Sequence, residues 1–234
     1  MKSHLRGIAL LSVALAFSGP GLAHEGAHPP QEQDQVGRVL GKIDFPTSTA
    51  SAEARGAFIQ GMLLLHLFEY PFALAEFQKA QALDPDFAMS YWGEAMVYNF
   101  PIWDQQDGDR ARAALAKFAP TPEARLEKLS TPKARDYFTA MDILYGPAGD
   151  TTPKAERDLA YERHMGAMAR RYPDDHEVQL FYALALMGTH AGVRDIPAYM
   201  EAAALSQRVF YANRQHPGAA HYLIHSVDDP IHAP

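Results

Sequence analysis

The sequence predicts an all-α fold made of helical hairpins packed in series. Three observations carry that prediction. Beyond residue 50, apolar and small residues recur at helical spacing, and no alternating strand pattern exceeds four residues. Proline and glycine fall between the periodic segments. One segment, Phe58 to Pro85, has a spacing that returns further along the chain.

In that segment Gly61, Ala73 and Ala80 are small where two helices must approach closely, while Leu64, Tyr70 and Phe77 are large enough to fill the gap. The intervals are those of a helix–turn–helix repeat of about 34 residues, the tetratricopeptide unit. Its first helix ends near Leu67. Pro71 suits the first turn of the second helix, where its missing N–H costs nothing. A second unit starts at Ala88, with Tyr91-Trp92, Ala95 and Tyr98 at the aromatic, small and large positions. A long loop from Asn99 to Gly108 carries Pro101 and Trp103, and a helix from Arg110 to Phe118 is closed by Pro120. Thr121-Pro122, Thr131-Pro132 and Thr152-Pro153 share one grammar, in which Thr caps and Pro opens a helix. They predict helices over 122–129, 132–145 and 153–171, the last two forming an irregular hairpin around Gly146-Pro147. Further helices are predicted over 176–188, 197–213 and from Gly218 to Asp228. The overall expectation is a solenoid of tetratricopeptide type with irregular insertions over 51–234. A solenoid normally closes with a polar capping helix. The last helix here is apolar and His-bearing, so the chain is expected to be a piece of a longer protein.

Residues 1–23 read as a separate object. Lys2 and Arg6 precede an apolar run from Ile8 to Phe17, and Gly21-Leu22-Ala23 offers small residues for cleavage. This is the pattern of a secretory signal peptide, and it implies a periplasmic or secreted protein. Residues 24–50 are expected to form an irregular arm lying on the domain. No later apolar run is long enough to span a bilayer. The chain has 234 residues, a net charge of −7 and no basic run, which argues against a nucleic-acid footprint. There is no cysteine, so disulfides and thiolate metal sites are excluded.

Phe77–Pro85, Tyr91-Trp92-Gly93-Glu94-Ala95-Met96, Pro101-Ile102-Trp103 and His216-Pro217-Gly218-Ala219-Ala220-His221-Tyr222-Leu223-Ile224-His225 resemble exported bacterial tetratricopeptide-repeat proteins of unassigned activity. The resemblance implies the fold, and a binding or scaffold role with a protein or peptide partner. Better-known repeats of this fold clamp a peptide carboxylate with Lys, Arg and Asn on the concave side. The matching positions here, Phe58, Met62, Trp92 and Met96, are apolar, and Arg55 is the nearest charge. A charged clamp is not predicted.

Candidate ligand-binding residues are Trp92, Glu94 and Trp103. Histidine is the unusual resource, with eleven in the chain. His221 and His225 are four apart on a predicted helix and project from one face, a spacing that can hold one metal ion between two nitrogens. His66 and Glu69 are three apart near the end of the first helix. Together these four residues are the candidate ligands for a divalent metal such as Zn²⁺ or Cu²⁺. Met62, Met96 and Met187 would tilt such a site towards copper, or simply fill the core. His24 and His28 offer a further copper-chelating idea. Buried histidines that hold helices together would use the same residues. The metalloprotease word is absent, because Tyr222 stands where its Glu would follow the first His. No nucleophile elbow, phosphate loop or dinucleotide fingerprint occurs.

Overall fold

The computed structural model describes residues 40–230; the signal-peptide reading, most of the arm and His24 and His28 lie outside them. Among the described residues there are ten α-helices and one two-residue β-ladder, so the protein is mainly helical. In chain order these are α1 (Ala52–His66), α2 (Tyr70–Leu83), α3 (Ala88–Met96), β1 (Asn99–Phe100), a 3₁₀ turn (Pro101–Trp103), β2 (Gln105–Gln106) and α4 (Gly108–Phe118). Then follow α5 (Pro122–Lys128), α6 (Pro132–Tyr145), α7 (Lys154–Arg171), α8 (His176–Thr189), α9 (Ile196–Ala212) and α10 (Pro217–Val227).

Local chemistry sets most of the starts. Side-chain oxygens of Ser51, Asp107, Thr121, Thr131, Asp175 and Asp195 each accept a backbone N–H from the first turn of their helix. The third Thr-Pro word behaves differently. Pro153 itself occupies the cap position of α7, and the Thr152 hydroxyl donates to Asp150 at 2.8 Å. The expected long loop after α3 is a tight antiparallel hairpin, pairing Asn99 with Gln106 around a left-handed Asp104.

Successive helices pack on one another as α1/α2, α2/α3, α3/α4, α6/α7, α7/α8, α8/α9 and α9/α10. The ring of Phe77 on α2 contacts both α1 and α3. It is wholly buried, and a Cβ on either Gly61 of α1 or Gly93 of α3 would fall within 3.0 Å of its ring atoms. Both glycines are therefore required by close approach.

Two expectations give way at the tertiary level. The positions expected to line an open concave face, Phe58, Met62, Trp92 and Met96, are buried. Trp92 packs against Phe45, Tyr137 and Phe181, with ring centroids 6.1, 5.0 and 5.2 Å away. The arm supplies Phe45, and α6 and α8 supply the other two rings, so apolar side chains enclose Trp92. The last helix is not unpartnered either: α10 packs on α9, on α8 and back on α1. The arm reinforces this closure, since Lys42 N–H donates to Gln215 O at 2.9 Å and Asn213 Nδ2 donates to Lys42 O at 2.8 Å. The first and last hairpins thus meet, and polar side chains converge where they do.

Candidate functional site

The convergence begins with the end of α1. His66 is its last residue, and Phe68 turns the chain at φ 61°. That left-handed turn breaks the helical register, so the three-residue spacing to Glu69 no longer places both side chains on one face. The His66 ring points inward and is buried, whereas Glu69 is exposed at the cap position of α2 and caps nothing. His66 and Glu69 are not brought together.

The partners of His66 come from distant parts of the chain. Its Nε2 lies 2.8 Å from Glu177 Oε2, in the first turn of α8. Its Nδ1 lies 2.9 Å from the Tyr222 hydroxyl on α10. His216, at the cap position of α10, places Nε2 3.1 Å from the other Glu177 oxygen. The side chains of His66, Glu177 and His216 are at most 1% exposed. The His66 ring stacks on Phe181 at 5.4 Å and meets the His216 ring edge-on at 5.0 Å. Gly218 makes room for it, because a Cβ there would lie 2.5 Å from His66 Nδ1.

The electrostatics follow from this placement. Burial pushes the Glu177 carboxyl upward, but the two imidazoles outweigh it and bring it down to about 2. The positive end of α8 acts in the same direction. Burial lowers His216 by more than the Glu177 contact raises it. Its place at the positive end of α10 also disfavours an imidazolium. His216 Nδ1 is buried without a hydrogen-bond partner. The centre is therefore an ionised carboxylate between two imidazoles, with no lysine or arginine paired to it among the described residues.

A second, more exposed layer lies over this centre. His221 Nδ1 is 2.7 Å from the backbone oxygen of His66, so it donates, and the lone pair of a neutral ring sits on Nε2. His225 Nε2 is 3.1 Å from that atom, as the four-residue spacing predicts. Burial and the neighbouring His221 both lower the His225 pKa, and Asp228 partly offsets them. Phe68 covers the pair, with ring centroids 4.5 Å from His221 and 5.7 Å from His225. It also meets Trp103 edge-on at 5.6 Å. Trp103 is 53% exposed. The structure thus joins Trp103, His221 and His225 into one surface through Phe68.

The other candidates lie elsewhere. Glu94 is buried on α3, accepting from Lys117 Nζ and Gln81 Nε2 at 2.6 Å and from Gln78 Nε2 at 3.1 Å. Trp92 belongs to the core. His190 faces Glu162 at 3.5 Å, away from the His66 centre. Met62, Met96 and Met187 are buried core residues. No local pattern in the sequence marks Glu177, and His216 enters it only within the His216–His225 segment. A carboxylate in the first turn of an apolar helix reads as a dipole partner, and nothing local separates it from that role.

No family model matches the sequence, and no curated protein or solved structure is detectably similar to it. Among the described residues no helix is long and apolar enough to cross a membrane.

Proposed function

We propose that this chain is an exported binding protein of tetratricopeptide type that docks a protein or peptide on the surface formed by Phe68, Trp103, His221 and His225. The supporting observation is the half-exposed Trp103 standing against Phe68 beside two partly exposed imidazoles. Aromatic rings of this kind give large contact area at little entropic cost, and they are enriched at energetically dominant interface positions. The rigid frame beneath them favours binding too. Phe68 is fixed by its turn and by stacking on Tyr70 at 5.7 Å and Tyr222 at 5.8 Å. The imidazoles add hydrogen-bonding groups to the apolar patch. Nothing in the arrangement supplies a nucleophile–base pair, so binding is preferred to catalysis.

The experiment is a co-purification from the bacterial envelope with the wild type and with Trp103→Ala. A partner retained by the wild type and lost by the variant supports the reading. A partner set that is identical for both removes this surface from consideration. Fractionation of cells expressing the full sequence, with and without residues 1–23, tests export; cytoplasmic retention of the full chain would refute that part.

A further inference from the structure

We propose that His66, Glu177 and His216 form a buried site for one divalent transition-metal ion, with Zn²⁺ or Cu²⁺ as the fitting class. None of the three ligands belongs to the docking surface of Phe68, Trp103, His221 and His225. Three ligands that suit such ions, two imidazoles and one carboxylate, arrive from three separate elements: the end of α1, the first turn of α8 and the cap of α10. One ligand atom from each lies within 4.8 Å of the others. Ligand atoms bound at about 2.1 Å to one tetrahedral ion lie about 3.4 Å apart. Glu177 stands 2.8 Å from His66 Nε2 through one oxygen and 3.1 Å from His216 Nε2 through the other, so side-chain rotation brings the three groups to that spacing.

Two features point to a cation rather than to hydrogen bonding alone. The first is the make-up of the centre: two imidazoles and a carboxylate converge with their side chains at most 1% exposed, and no lysine or arginine is paired to that carboxylate among the described residues. The second is the support around His66. A metal-bound imidazole usually gives its other ring N–H to a neighbouring acceptor, and the Tyr222 hydroxyl stands 2.9 Å from His66 Nδ1 in that role. Gly218 keeps the space for this arrangement open, since any side chain there would collide with His66 Nδ1. Bound metal would tie the first hairpin to α8 and α10, closing the structure where its two ends meet.

The test uses the full-length protein stripped with dipicolinate and then titrated with Zn²⁺, Cu²⁺ and Co²⁺. Metal content, Co²⁺ visible absorption and the thermal unfolding midpoint are measured. One equivalent of bound metal, ligand-field bands of a low-coordinate Co²⁺ site and a raised midpoint support the proposal. Tyr222→Phe, which keeps all three ligands, should weaken binding about 10-fold or more. Glu177→Gln should abolish it. His225→Ala dismantles the surface imidazole pair and should leave stoichiometry and affinity unchanged. No stoichiometric uptake of any of the three ions by the wild type overturns the proposal. So does uptake that is lost in His225→Ala, or that survives unchanged in Glu177→Gln. Should Glu177→Gln fail to fold, the wild-type titration and the Tyr222→Phe and His225→Ala arms still decide the matter.

Discussion

The contact of Phe77 with two glycines makes the hairpin packing measurable. An alanine Cβ at Gly93 would lie 2.5–2.7 Å from three Phe77 ring atoms, and real Cβ contacts are never that short. The ring is wholly buried and has Gly61 on its other flank, so it has nowhere to retreat. In an exposed helix, Gly→Ala gains about 1 kcal/mol. Overpacking a tight core costs about 1–3 kcal/mol, and the upper part of that range applies where three atoms collide. Gly93→Ala should therefore destabilise the protein by about 1–2 kcal/mol. Phe77→Ala should cost about 3–5 kcal/mol by leaving a cavity. In the Phe77→Ala background the collision is gone, and Gly93→Ala should now stabilise by about 1 kcal/mol. The coupling energy between the two sites is then about 2–3 kcal/mol, far outside the additivity expected of independent positions. Urea unfolding followed by far-ultraviolet circular dichroism on the four proteins of the cycle measures it. A Gly93→Ala protein as stable as the wild type, or effects additive within about 0.5 kcal/mol, would refute the packing described here.

Other consequences are equally direct. Lys117 is about half exposed, a setting where alanine substitutions usually change stability by less than about 0.5 kcal/mol. It is the only charged partner of the buried Glu94 among the described residues, so Lys117→Ala should cost about 1–3 kcal/mol in urea unfolding; a neutral result would show that Gln78 and Gln81 suffice. Trp103→Ala should change stability little while weakening partner binding at least 10-fold by calorimetry, and equal affinities would exclude the aromatic anchor. The His225 pKa is lower in the folded protein than in the unfolded chain, so the unfolded state binds the proton first. The resulting stabilisation is complete above pH 6.5 and is lost as pH falls from there towards the folded-state value. Unfolding free energies between pH 7.5 and 5 should show that decline, and it should be shallower in His225→Ala; an unchanged slope would remove His225 as its source.

The physical basis of what was legible in the sequence is local. Helix starts at Thr121 and Thr131 depend on one side chain reaching the next turn, and such contacts can be read from neighbours. The contact of Gly93 with the Phe77 ring comes only from the structure, whereas the small Gly61 and the large Phe77 read as facing positions of one hairpin. The spacing of His221 and His225 likewise fixes their meeting on one helix face. Other features depended on closure. Trp92 looked available for a ligand until Phe45, Tyr137 and Phe181 arrived from three other segments. His66 lost Glu69 because one left-handed residue, Phe68, redirected the chain, and it gained Glu177 and His216 because the last hairpin returned to the first. The sequence by itself determined the helices, their order and the histidines at their ends. Only the tertiary structure decided which of those ends share a buried centre, since contacts between residues more than a hundred positions apart follow from how the whole apolar surface is buried, and no local pattern records it.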